Sequence, residues 1–248
     1  MGRPALLKLL AMLASLLALM LSVPALASAQ HAPAASPSCH AASDATRNFS
    51  DMIDGSAWIC SDKNWEANRP VAWLRFDASS WADEMLPRHF ISRISRHDSI
   101  EFAALDADGT LRTLRHDEAA GRPFGGGPAF ELALPEITEN TRALLVRIER
   151  PHSIPLLTEA KLAVAPEDVA WSQHEMILLA LVIGMLVLPL CFDVSFFIVL
   201  RERSVMLHAI MVVAMMTYVL FAGGLISVFA TLPVALIAVL APLSWAIG

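Results

Sequence analysis

The sequence predicts an exported all-β sandwich followed by an α-helical transmembrane bundle. Three features carry this reading: a short apolar start with two positive residues, a middle section of period-two alternation, and long charge-free runs after Trp171. Composition agrees. Of the 248 residues 56% are hydrophobic and 17% charged, whereas about a quarter of an ordinary soluble protein is charged. The apolar excess falls before Ala29 and after Trp171, so the section between has the balance of a globular domain with its own core.

At the N-terminus, Arg3 and Lys8 make a positive start and residues 9–21 are almost wholly apolar. Ala27-Ser28-Ala29 fits a small-residue cleavage site, so residues 1–29 read as a secretion signal. Whether that signal is cleaved or stays as an anchor, the domain after it is exported. Residues 30–43 are rich in Ala, Pro and Ser without a hydrophobic period, and read as a flexible linker. Cys39 and Cys60 lie in the exported part, where they either form a disulfide or remain two free thiols.

The domain is expected over residues 44–171. Ala72, Leu74 and Phe76 share one face of a strand, and Ile100, Phe102 and Ala104 one face of the next, with Glu101 and Ala103 opposite. Asp106-Ala107-Asp108-Gly109 is a turn signal, and residues 111–114 return as the hairpin partner. Phe130, Leu132 and Leu134 alternate with Glu131 and Ala133, and Leu144, Val146 and Ile148 with Arg147 and Glu149. Residues 90–94 and 162–164 are further short candidates. Residues 121–128, rich in Gly and Pro, read as a loop, and no long helical pattern is present. Short strands separated by polar turns predict a sandwich.

Beyond Trp171, itself placed as an interfacial anchor, residues 176–200 and 205–230 are each long enough to cross about 30 Å of hydrocarbon. A third run, residues 232–248, is still apolar at Gly248, so the bundle is expected to be incomplete and the chain to continue through further spans. Arg201 and Arg203 lie between the first two runs, which makes that turn cytoplasmic and the domain extracytoplasmic, in agreement with the secretion signal.

Function classes narrow by exclusion. From residue 30 to 171 there are 14 Lys and Arg against 21 Asp and Glu, a net charge of −7, so nucleic acid is excluded as a partner. Gly125-Gly126-Gly127 runs into Pro128 and is no phosphate loop. Nucleophile-elbow, zinc-protease and paired-cysteine motifs are absent from the sequence, so neither an enzyme nor a cofactor or metal is expected. His89 and His97 read as surface histidines. Trp58, Trp65, Trp73 and Trp81 recur at similar intervals near Arg69 and Arg75. They either fill the core or stack on a flat ligand face. Trp65, Trp73, Arg75 and Trp81 are the candidate ligand contacts. Asp193, inside the first run, faces either the bundle interior or hydrated cytoplasmic surface, and His208 reads as interfacial. Ala180 and Gly184 form a small-residue pair that lets another helix approach.

Several segments resemble bacterial seven-transmembrane receptors with diverse intracellular signalling modules. Arg69-Pro70-Val71-Ala72-Trp73-Leu74-Arg75-Phe76 is similar to that family's proline–Trp-Leu-Arg strand, and residues 99–109 to its hairpin ending in Asp-Gly. Residues 130–135 and 144–148 fit the later strands. Residues 196–204 resemble the first helix exit and basic turn, and Tyr218 with Gly223-Gly224 the second helix. The resemblance implies a jelly-roll-like extracytoplasmic domain in the periplasm, anchored in the bacterial inner membrane. It would bind a small-molecule or carbohydrate-like ligand and signal to a cytoplasmic output such as a diguanylate cyclase or histidine kinase. A homodimer is compatible with this reading. The alternative is a membrane-tethered periplasmic binding or adhesion domain without signalling output; two spans and the start of a third favour the receptor.

Overall fold

The structure, a computed structural model, describes residues 34–53, 58–81, 86–124, 127–169, 173–230 and 232–247. The expected signal peptide 1–29 and Trp171 lie outside the described residues. The described residues belong to one compact unit.

Among the described residues, nine strands make two antiparallel sheets. They are β1 (Cys39–Ser43), β2 (Val71–Asp77), β3 (His89–Arg93), β4 (Ser99–Asp106), β5 (Leu111–Asp117), β6 (Arg122–Phe124), β7 (Ala129–Ala133), β8 (Thr141–Glu149) and β9 (Lys161–Ala163). One sheet runs β1-β2-β8-β4-β5 and the other β6-β7-β3-β9. Alternation explains the faces that meet. Ala72, Leu74 and Phe76 of β2, Ile100 and Phe102 of β4, and Leu144, Val146 and Ile148 of β8 pack in one core with Phe90 of β3 and Phe130 and Leu132 of β7. Phe90 meets Phe102 edge-on at 5.2 Å across the two sheets, a pairing that adds about 0.5–1.5 kcal/mol to the burial itself.

The β4–β5 hairpin turns as expected, with Gly109 at φ 88° donating its N–H to the Asp106 carbonyl at 3.0 Å. Behind the turn Asp106 is buried and accepts from Arg112 at 2.7 Å and from the Thr141 hydroxyl at 2.8 Å. This knot ties β4, β5 and β8 together where the β4–β8 register shifts.

The outer face of the five-stranded sheet is covered too. The short helix α1 (Phe49–Ile53) lays Phe49 and Met52 over Val71, Trp73, Ala103 and Leu145. Its start is fixed by reciprocal bonds: Asn48 Oδ1 accepts from the Asp51 N–H and Asp51 Oδ2 from the Asn48 N–H, each at 3.0 Å.

Three sequence expectations about the domain change. The flexible linker ends earlier than residue 43: Cys39–Ser43 is an edge strand paired with β2, and Ala35 bridges to Leu162. The expected loop 121–128 contains β6, whose Pro123 is tolerated because β6 is an edge strand. His97 is no surface histidine; its ring is buried and stacked on Phe130 at 5.4 Å. The disulfide between Cys39 and Cys60 is formed.

After the single-turn helix α2 (Pro155–Thr158) the C-terminal region holds α3 (Gln173–Leu200), α4 (Arg203–Ala222), α5 (Ile226–Phe229) and α6 (Val234–Ile247). Two of these, over Met176–Leu200 and Arg203–Ala222, are long and apolar enough to cross a membrane. The most apolar stretch of α3 has no buried residue. The second of these helices is shorter than the expected span 205–230. It stops at Ala222 because Gly223 and Gly224 cap it, Gly224 at φ +72°. The third run is a helix of 14 residues with Pro242 inside it. The helices among the described residues are too few for the expected bundle. Gly184 has no atom within 4 Å of where a Cβ would sit, so the Ala180–Gly184 face is open.

Candidate functional site

The four residues expected to contact ligand do not converge. Trp73 points to the outer face of its sheet, but α1 covers that face and leaves it 0% exposed. Its Nε1 donates to Ser43 Oγ at 2.8 Å, Phe49 meets it edge-on at 5.3 Å, and the Arg147 guanidinium lies 5.9 Å from its ring. Trp73 is therefore a core residue, which removes it from the contact set. Trp81 packs partly buried against the main core, and its Nε1 has no partner among the described residues. Trp65 stacks on His40 at 3.9 Å and lines a cleft of about 370 Å³ beside the disulfide.

Arg75 sits where the α1 cover ends. Its Nε donates to Asp77 at 2.8 Å, and with Arg142 and Ser79 the pair forms the polar side of a cleft of about 620 Å³. Met52, Ile53, Leu105 and Leu145 form the apolar side. Paired donors and acceptors over an apolar floor suit a small polar ligand with a hydrophobic face. A separate polar strip lies toward the other end of β8, where Glu149 is opposite Val71 and Ser99. Burial works to raise the Glu149 carboxyl, but the Ser99 hydroxyl, Arg147 and Arg115 outweigh it and hold the group below its ordinary value. Among the described residues no cluster of three or more His, Cys, Asp or Glu side chains could hold a metal ion.

A second arrangement joins the sandwich to the helices. Val234, the first residue of α6, is 0% exposed within the main sandwich core. A Cβ added at Gly121 would lie 3.3 Å from the Val234 side chain and 3.1 Å from Phe130. At Gly224 any Cβ would collide with the Gly127 carbonyl, so backbone meets backbone there and only glycine fits. The sandwich end and the α4–α6 segment are thus interlocked.

The third arrangement lies in the helical hairpin. Asp193 of α3 and His208 of α4 meet at 2.6 Å between Oδ2 and Nδ1. In the sequence they read separately, Asp193 as a residue inside the first run and His208 as interfacial. A readable signal existed: they lie nearly equidistant from the Arg201-Glu202 turn, and a tight hairpin brings such positions together. The contact satisfies one hydrogen-bonding group on each side chain and ties α3 to α4. No protein-family model matches the sequence, and no curated protein matches it significantly.

Proposed function

We propose that this chain is the input module of a bacterial inner-membrane receptor, of the seven-transmembrane class that its segments resemble. The sandwich stands in the periplasm, α3 and α4 cross the bilayer, and ligand binding to the sandwich is felt by the helices. One observation carries the reading: Val234 is a core residue of the sandwich and a helix residue at once. A tether needs only a flexible link, whereas a receptor needs a joint that transmits. The chain order also supports a jelly-roll-like sandwich, since β2 pairs with β8 and β3 pairs with β7 in nested fashion. The Arg75–Asp77 cleft is its candidate ligand site, for a polyhydroxylated, carbohydrate-like molecule.

Topology is tested by fusing alkaline phosphatase after Lys161, where it should be active, and after Arg203, where it should not. Coupling is tested by a thermal-shift screen of sugars on the full chain in nanodiscs. A sugar that stabilises the protein, but not its Arg75→Ala variant, should also alter amide exchange in residues 218–237. Protection confined to the sandwich would favour a tethered binding domain.

A further inference from the structure

We propose that the cleft between the sandwich and helices α4 and α6 binds the headgroup of an anionic phospholipid. The inference rests on the reading that α3 and α4 cross a bilayer. The cleft is about 480 Å³, in the range of about 300–1,000 Å³ common for small-molecule sites. Its two walls differ in chemistry. The sandwich wall presents Arg93, Arg96 and His152, and the helix wall presents Tyr218, Phe221 and Trp245. Tyr218 and Trp245 lie 5.3 Å apart, ring to ring.

The polar wall is held in place. Ser153 donates its hydroxyl to Ser95 at 2.8 Å, the His152 N–H donates to the Arg96 carbonyl at 3.1 Å, and the Ile94 N–H to the Pro128 carbonyl at 2.8 Å. The loops carrying Arg96 and His152 are therefore stitched to each other and to the Gly127–Pro128 turn against which Gly224 packs. Arg93 is partly engaged by Glu159 at 3.3 Å, and Glu159 does not line the cleft. Arg96 is exposed and has no ion-pair partner among the described residues.

Charge and position select the occupant. The domain carries a net charge of −7, yet its cleft-lining residues include cations and no carboxylate. A soluble anion would satisfy Arg96 but leave the apolar helix wall uncovered. A zwitterionic headgroup would bring its own cation against the guanidinium. An anionic phospholipid satisfies both walls, its phosphate at Arg96 and His152 and its acyl chains along α4 and α6. Tyr and Trp belong at that headgroup depth. One unpaired basic group at a membrane surface corresponds to about a fivefold enrichment of anionic over zwitterionic lipid.

The test uses the full chain in phosphatidylcholine nanodiscs holding a fixed minor fraction of either dibrominated phosphatidylglycerol or dibrominated phosphatidylcholine. The bromines quench tryptophan, and Trp245 reports the cleft. Brominated phosphatidylglycerol should quench in excess. The Trp245→Phe variant should lose that excess, as should the double variant Arg96→Gln with His152→Gln, while Arg115→Gln retains it. Equal quenching by both lipids, or an excess that survives the double variant, overturns the lipid site and leaves the membrane reading intact. No quenching by either lipid overturns both.

Discussion

Phe102 in the sandwich is 0% exposed and Val199 in α3 is 77% exposed, although both belong to strongly apolar segments. The difference is one of partners. Along β2, β4 and β8 every second residue finds an apolar face on the other sheet, and the alternate residues meet water or the α1 cover. Helix α3 has apolar residues on all sides and no protein against most of them, so its surface is stable only where the surroundings are themselves apolar. Polar groups obey the same contrast. Those of the sandwich are open to solvent or, like Asp106, buried among their own partners, whereas Asp193 and His208 turn to each other.

Truncation should therefore cost far more in one region than in the other. Phe102→Ala should destabilise the sandwich by about 3–5 kcal/mol, while Val199→Ala should change stability by less than about 1 kcal/mol. Urea titration in nanodiscs, followed by tryptophan fluorescence, reads both. Similar losses at the two sites would break the contrast. Next in size is the disulfide. Cys39 and Cys60 are 21 residues apart, and replacing both by serine should remove about 3 kcal/mol. Asp106→Ala leaves the Arg112 and Thr141 donors without their buried acceptor and should cost about 1–3 kcal/mol.

The smallest effect is a pH dependence confined to the sandwich. Burial holds the His97 imidazole below its ordinary value, more than the Ser95 carbonyl and the charges of Glu118 and Asp98 raise it. The folded protein thus keeps His97 neutral where the unfolded chain protonates it, below about pH 6.5. Stability should decline as pH falls through that value and level off below the folded pKa. Glu149 acts at lower pH: its contribution is complete above the ordinary glutamate range and is lost as pH falls through its depressed pKa. His97→Phe should abolish the first stage only. An unchanged stability decline near neutral pH in that variant would assign it elsewhere.

Period-two alternation made β2, β4, β7 and β8 legible, because one face of each must be apolar. It could not reveal that the outer face of β2 is also covered, since the cover comes from Phe49 and Met52 on a helix of only five residues. That is why Trp73 reads as a ligand contact in sequence and is a core residue in the fold. The strand β1 has no hydrophobic alternation; it is a strand because β2 offers it an edge. The long apolar helices were visible from length and composition, but the end of the second, at Ala222, lies beside the contact of Gly224 with Gly127, two positions remote in sequence. The Arg96–His152–Tyr218–Trp245 cleft was invisible for the same reason: its walls come from separate loops and helices.

Signal transfer of the proposed kind requires that the sandwich and the helices move as one body, joined at Val234 and at the Gly224–Gly127 contact. Spin labels at Arg115→Cys on β5 and Glu202→Cys in the helical turn, in a Cys191→Ala background that keeps the disulfide, measure this by electron–electron double resonance. A single narrow distance distribution is expected in nanodiscs, broadened by Gly224→Val. A distribution already broad in the protein without that substitution would contradict the rigid joint.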